Sequence, residues 1–122
     1  MSLHRKKIGK IGEDFACDYL LHEGYTLLAR NFTTHWGELD LIVEKYEKIV
    51  FVEVKTKVGD KKGKPYEAVN YKKLQNLKRP IQFYLSQNNL LKHKCDLIVI
   101  GIILNKFEEV EELKVYDDIK MM

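Results

Sequence analysis

The sequence predicts an α/β domain in which a mixed central sheet of about four to five strands carries helices on its faces. Three observations predict it. Along the 122 residues the hydrophobic period changes from three-and-four spacing to extended runs and back again. Two of those runs, Leu39–Val43 and Ile49–Val54, are apolar at almost every position, as strands covered on both faces are. The resulting order is helix, three strands, helix, strand, with an acidic C-terminal strand or tail.

The elements follow in turn. Residues 5–23 place Ile8, Ile11, Phe15, Tyr19 and Leu20 at helical spacing, and Gly24 supplies a stop. Tyr25–Phe32 turns extended, and after Thr33–Trp36 come the two apolar runs. Val58–Lys64 has loop composition, with two glycines and three lysines. Helical spacing resumes over 66–87 through Leu74, Leu77, Ile81, Tyr84 and Leu85, where Pro80 is expected to kink or split the helix. Cys95–Leu104 is the most apolar run of all, and Val110–Val115 can add an edge strand.

Composition leaves room for a single domain over residues 1–122, with an acidic segment over 106–122, and argues against general disorder: 45% of residues are apolar and 32% charged. The net charge of +3 is uneven. Residues 1–105 hold 18 basic against 12 acidic side chains, the remainder 3 against 6. Such a surplus permits a nucleic-acid surface without requiring one. No apolar stretch has the length of a signal peptide or membrane span, so a cytoplasmic location is expected. Cys17 and Cys95 form no C-x-x-C pair and are expected to be reduced, buried hydrophobes. His4, His22, His35 and His93 show no paired spacing, which leaves a zinc site or a Cys-His nucleophile without support.

Charges interrupt two strands that otherwise read as buried. By strand alternation Glu38 and Asp40 share a face, as do Glu53 and Lys55. A hairpin with Tyr46-Glu47 as its two-residue loop sets Asp40 directly across from Glu53, with Cβ atoms roughly 4.5–5.5 Å apart. Two carboxylates that close repel, and burying them uncompensated costs several kcal/mol. Lys55 is one compensating cation and a divalent metal the other. Mg²⁺ fits, because one or two carboxylates typically hold it while water and phosphate oxygens complete its shell. The chemistry implied is phosphodiester hydrolysis, with Asp40 and Glu53 as metal ligands and Lys55 placing the water and neutralising charge. A structural ion pair at a strand end uses the same letters, and spacing does not choose between the two.

The stretches "GKIGEDFACDYL", "LLARNF", "GELDLIV", "VFVEVKTK", "EAVNYKKLQNL" and "CDLIVIG" resemble, in order, the YraN-like family of uncharacterised bacterial proteins, over most of residues 9–101. That family is similar to the PD-(D/E)XK nucleases, which include restriction endonucleases and archaeal Holliday-junction resolvases. The resemblance implies a restriction endonuclease-like core and a Mg²⁺- or Mn²⁺-dependent nuclease acting on DNA. It assigns the motif aspartate to Asp40, the E-x-K to Glu53 and Lys55, and the acidic residue of the first helix to Glu13, with the Val54 carbonyl as a further metal ligand. Glu38 and Lys73 fall on positions typical of the family, in supporting roles. At Thr34 the chain departs from the family pattern, which more often carries arginine before the Gly-Glu.

Other residues support two readings each. Glu13 stands close to Gly9 and Gly12, glycines that cost a helix about 1 kcal/mol each unless close packing wants them, yet an exposed, solubilising Glu13 fits the same pattern. Lys57, Lys61, Lys62 and Lys64 can track a nucleic-acid backbone or serve as solvated loop lysines. His35 and Trp36 can stack on a base, although an aromatic at a strand entrance is more often packing. The functions to weigh are therefore a structure-selective DNA endonuclease, a nucleic-acid-binding module of the same fold acting as a partner subunit with little catalysis, and a purely structural or dimerising domain. The expected partner is nucleic acid, DNA before RNA, with no membrane; a homodimer is left open.

Overall fold

In the computed structural model, which describes residues 2–59, 71–117 and 119, the elements run α1 (Leu3–His22), β1 (Thr26–Thr34), β2 (Gly37–Lys45), β3 (Lys48–Val58), α2 (Tyr71–Gln75), α3 (Lys78–Gln87), β4 (Cys95–Leu104) and β5 (Val110–Tyr116). The strands form a five-stranded sheet in the order β1-β2-β3-β4-β5. All neighbours are antiparallel except β3 and β4, which are parallel. A parallel pair needs a crossover connection, and α2 and α3 lie in it. The mixed sheet flanked by helices is the architecture expected from the sequence. No described helix is long and apolar enough to cross a membrane.

Each face of the sheet has its own core. On one side Ile8, Ala16, Cys17 and Leu20 of α1 pack on Leu41, Val43, Val50, Val52 and Ile100. On the other, Leu74, Leu77, Ile81, Tyr84 and Leu85 pack on Ile42, Ile49, Phe51, Leu97 and Val99. Successive residues of β3 therefore alternate between the two cores, which is why that strand reads as apolar throughout.

Two local expectations need correction, and a third is made more exact. α1 turns a narrow stripe of Ile8, Gly12, Ala16 and Leu20 to the sheet, while Phe15 is 41% exposed. Small residues are needed there, because a Cβ on Gly12 would lie 1.8 Å from Thr56 Oγ1. The second helical segment breaks at Asn76-Leu77, ahead of Pro80. Pro80 is the third residue of α3, where the amide it lacks would have no partner within the helix, so of the two expected outcomes the structure shows the split, placed just ahead of the proline. Residues 66–70 of the expected helix lie outside the described residues. Finally, Cys95 is exposed at the start of β4, whereas Cys17 is buried as expected; both are free.

Chain ends of the elements are fixed locally. Ser2 accepts the Arg5 amide at the start of α1. At its end the amides of Gly24 and Tyr25 donate to the carbonyls of Leu21 and Leu20, the paired bonds of a Schellman motif. Tyr46 and Glu47 join β2 to β3 with φ of 52° and 63°, the positive values that a two-residue type I′ turn requires.

Candidate active site at the open end of the β2–β3 hairpin

The β2–β3 ladder pairs Lys45 with Lys48 next to the turn and continues through Leu41↔Val52. One further step of the same register sets Asp40 across from Glu53, as the two-residue loop requires. At that step the strands change partners. β2 stays paired with β1 as far as Thr34↔Gly37, but the Val54 amide donates to the Asp40 carboxylate, 2.8 Å away. Leu39 packs in the core under α3 and Leu41 in the core under α1, so strict alternation fails between them. Alternation is thus lost between Leu39 and Leu41, where Asp40 takes the Val54 amide, and the charges of Asp40 and Glu38 both act on Glu13 of α1.

The carboxyl of Asp40 lies within hydrogen-bonding reach of the Glu53 carboxyl. Glu53 is 8% exposed, the one charged side chain among the described residues to be buried. Burial, then the hydrogen bond and the negative charge of Glu53, push the Asp40 carboxyl up to about 8, against the opposing pulls of the Val54 amide and Lys55. Lys55 follows two residues along β3. Burial and the neighbouring Lys73 of α2 lower its pKa, while Glu53 and Asp40 raise it. A narrow crevice opens beside the pair, with Glu38, Leu39 and Leu77 among its walls.

From α1, Glu13 reaches toward the same place. Its carboxyl is held above the ordinary value mainly by burial, and the charges of Asp40 and Glu38 push in the same direction. Asn31 of β1 ties Glu13 to Glu38: its amide nitrogen donates to Glu13 Oε1 at 3.0 Å and to Glu38 Oε1 at 3.1 Å. Asn31 does so from a left-handed backbone, φ 51°, within a strand; among non-glycine residues asparagine tolerates this best. Next to it Arg30 pairs with Asp14 and stands 3.8 Å from Glu13. Neither Asn31 nor Arg30 has a functional role in the sequence reading, although both belong to the stretch "LLARNF".

The structure thus gathers Glu13, Glu38, Asp40, Glu53, Lys55 and Lys73 around one notch. Val54 enters it through its amide, and its side chain lies in the core under α1. Lys57 is half-buried near the end of β3. Lys61, Lys62 and Lys64 lie outside the described residues. Among the described residues no three His, Cys, Asp or Glu side chains converge as a metal cluster. The Asp40–Glu53 pair remains a donor set suited to Mg²⁺, which is typically held by one or two carboxylates. The chemistry of the pair agrees: two touching carboxyls retain a proton far above the ordinary range unless a cation replaces it.

Residues 12–100 match the uncharacterised protein family UPF0102. The chain is 38% identical over 118 residues to a UPF0102 protein of Clostridium kluyveri, with 97% of both chains covered. It is 40% identical over 114 residues to one of Clostridium acetobutylicum, covering 92% of this chain and 93% of that one. A third, from Thermodesulfovibrio yellowstonii, is 43% identical over 109 residues, covering 88% and 95%. With most of its length matched in this way, the chain belongs to the uncharacterised protein family UPF0102, the YraN-like family that its motifs resemble.

Proposed function

We propose that the chain is a metal-dependent nuclease that hydrolyses phosphodiester bonds in DNA, acting on branched or otherwise structured substrates. The observation that carries this reading is the buried Asp40–Glu53 pair with Lys55 beside it. Bound between the carboxylates, Mg²⁺ or Mn²⁺ would polarise a phosphate oxygen and acidify a coordinated water. The residues supply the rest. The Val54 amide fixes one oxygen of Asp40, and the Val54 carbonyl is the third donor in this reading. Lys55, held below the ordinary lysine range, orients the attacking water and meets the negative charge that builds as the new oxygen–phosphorus bond forms and the old one breaks. Asn31 holds Glu13 and Glu38 beside the pair, where either can take a proton from that water. Lys73 adds positive charge on the α2 side. Lys57, Lys61, Lys62 and Lys64 belong to the same reading as contacts for the nucleic-acid backbone. So does a cytoplasmic location.

The test is cleavage of single-stranded, duplex and branched DNA by highly purified protein with Mg²⁺ and with Mn²⁺, run beside Asp40→Asn. Loss of both turnover and calorimetric metal binding in the variant is expected, since a ligand charge is removed. Equal cleavage by the two proteins would dismiss the site as the catalyst. DNA binding without turnover by the wild type would assign the chain to a binding subunit of nuclease fold.

A further inference from the structure

The β1–β2 turn carries an aromatic group that the proposed chemistry does not use. His35 and Trp36 form the two-residue loop between Thr34 and Gly37, which are paired. Thr34 locks that loop: its hydroxyl donates to the Gly37 carbonyl at 2.8 Å and accepts the Trp36 amide at 3.0 Å. Gly37 takes φ 146°, a value that side-chain-bearing residues rarely adopt. Behind the loop Trp36 packs against Phe83 at a centroid distance of 5.6 Å, and Phe83 against Phe32 at 6.3 Å. His35 meets the Trp36 ring edge-on at 5.7 Å. Trp36 nevertheless stays 44% exposed and Phe83 38%. A loop held this firmly that leaves its largest ring in solvent presents that ring and does not bury it.

Position and charge indicate the occupant. Trp36 stands in the turn that leads into β2, four residues ahead of Asp40, a separation of at most roughly 13 Å along the chain. Pro80 is the group nearest the Gly37 position, and beside it the first turn of α3 supplies Lys78 and Arg79 with no acidic residue. Aromatic rings next to basic side chains are how proteins hold unpaired nucleotides, the rings stacking on bases and the cations following phosphates.

We propose that His35, Trp36 and Phe83 form a stacking platform for an unpaired base of single-stranded DNA, with Lys78 and Arg79 on its phosphates, so that the strand runs along β2 toward the Asp40–Glu53 notch. The platform rests on the nuclease reading for its role, but its occupancy is measured without any cleavage. Trp36 is the chain's single tryptophan, so its emission reports directly on stacking. Titration with a short oligothymidylate is expected to quench Trp36, and an unbroken duplex of equal length to quench it far less. Trp36→Ala is expected to weaken oligothymidylate binding, followed by anisotropy of a labelled strand, by about tenfold or more. Trp36→Phe keeps a ring there and should retain most of the affinity, which separates stacking from loss of fold. Binding with unchanged emission, or equal affinity of the Ala variant, overturns the platform even where the protein cleaves DNA. Self-association by sedimentation that Trp36→Ala abolishes also overturns it, because the occupant is then a second copy. Quenching by a wild type that cleaves nothing sustains the platform and removes the nuclease.

Discussion

The two ends of the β2–β3 hairpin are built from the same pair of strands and behave as opposites. At the closed end the ladder is continuous and the turn is tight. There Lys45 donates to the Glu23 carbonyl at 2.6 Å and lies over the rings of Tyr25 and Tyr46. At the open end the ladder stops, and the Asp40 side chain takes an amide that a backbone carbonyl would otherwise hold. An open hollow of about 530 Å³ lies at the closed end, whereas only a narrow crevice lies at the open one. The larger space has exposed walls such as Tyr46 and Glu47, and the smaller has a buried carboxylate pair. Strained chemistry locates the candidate site here, and volume would have missed it.

The strongest way to test the contrast is to damage each part separately. Leu41→Ala, in the fully buried middle of the hairpin, is expected to cost about 2–5 kcal/mol of stability, while cleavage per folded molecule persists. Lys55→Ala should do the reverse: thermal unfolding stays near that of wild type, and cleavage falls about 100-fold or more. Parallel loss of both properties in each variant would erase the distinction between framework and site.

Gly12→Ala probes how closely α1 is pressed onto β3 near the open end. Its new methyl group would meet Thr56 Oγ1 at 1.8 Å, and overpacking of this kind typically costs about 1–3 kcal/mol. Denaturant titration measures it, and a midpoint equal to wild type would mean that α1 can shift at no cost.

An effect at least as large is expected from pH in the presence of chelator. Asp40 keeps its proton in the folded protein up to about 8, against 3.8 ordinarily. Between these values the native state binds more protons than the unfolded chain, so stability falls as pH rises from about 4 to about 8. Mg²⁺ should restore it at the alkaline end, and Asp40→Asn should flatten the metal-free profile. A melting temperature that rises over that interval in wild type but not in the variant would contradict the assignment. Smallest of all, Glu47→Gly relieves the left-handed conformation at φ 63° and should stabilise the closed end by about 1 kcal/mol, leaving cleavage alone.

What could be read from the sequence was what depends on neighbouring residues. Strand alternation and a two-residue loop placed Asp40 opposite Glu53, because the register of a hairpin follows from its turn. The helices and strands were recoverable from their periods, including the edge strand over Val110–Val115. The contacts that needed a third element were not. Gly12 and Ala16 read as ordinary helix residues until β3 is set against them, and Phe15 looked like core because spacing alone does not fix which helical face wins. The role of Asn31 depends on a left-handed backbone and on carboxylates arriving from α1 and β2. The loss of alternation at Asp40 has no counterpart in the letters. Thr34, where the chain departs from the arginine more often found before the Gly-Glu, proves to hold the turn under Trp36.

The parallel pairing of β3 with β4 sets the order in which these parts can come together. Every step of that ladder, from Ile49↔Cys95 onward, joins residues 46 apart, whereas the β2–β3 pairs are at most 11 apart. Closing a long loop loses more chain entropy and is slower than zipping a hairpin. The meander carrying Asn31, Glu38, Asp40, Glu53 and Lys55 can therefore form while Glu53 is still hydrated, and docking of β4 then draws that carboxylate out of water. The desolvation that later serves the site thus accompanies the slower, long-loop pairing and not the fast hairpin.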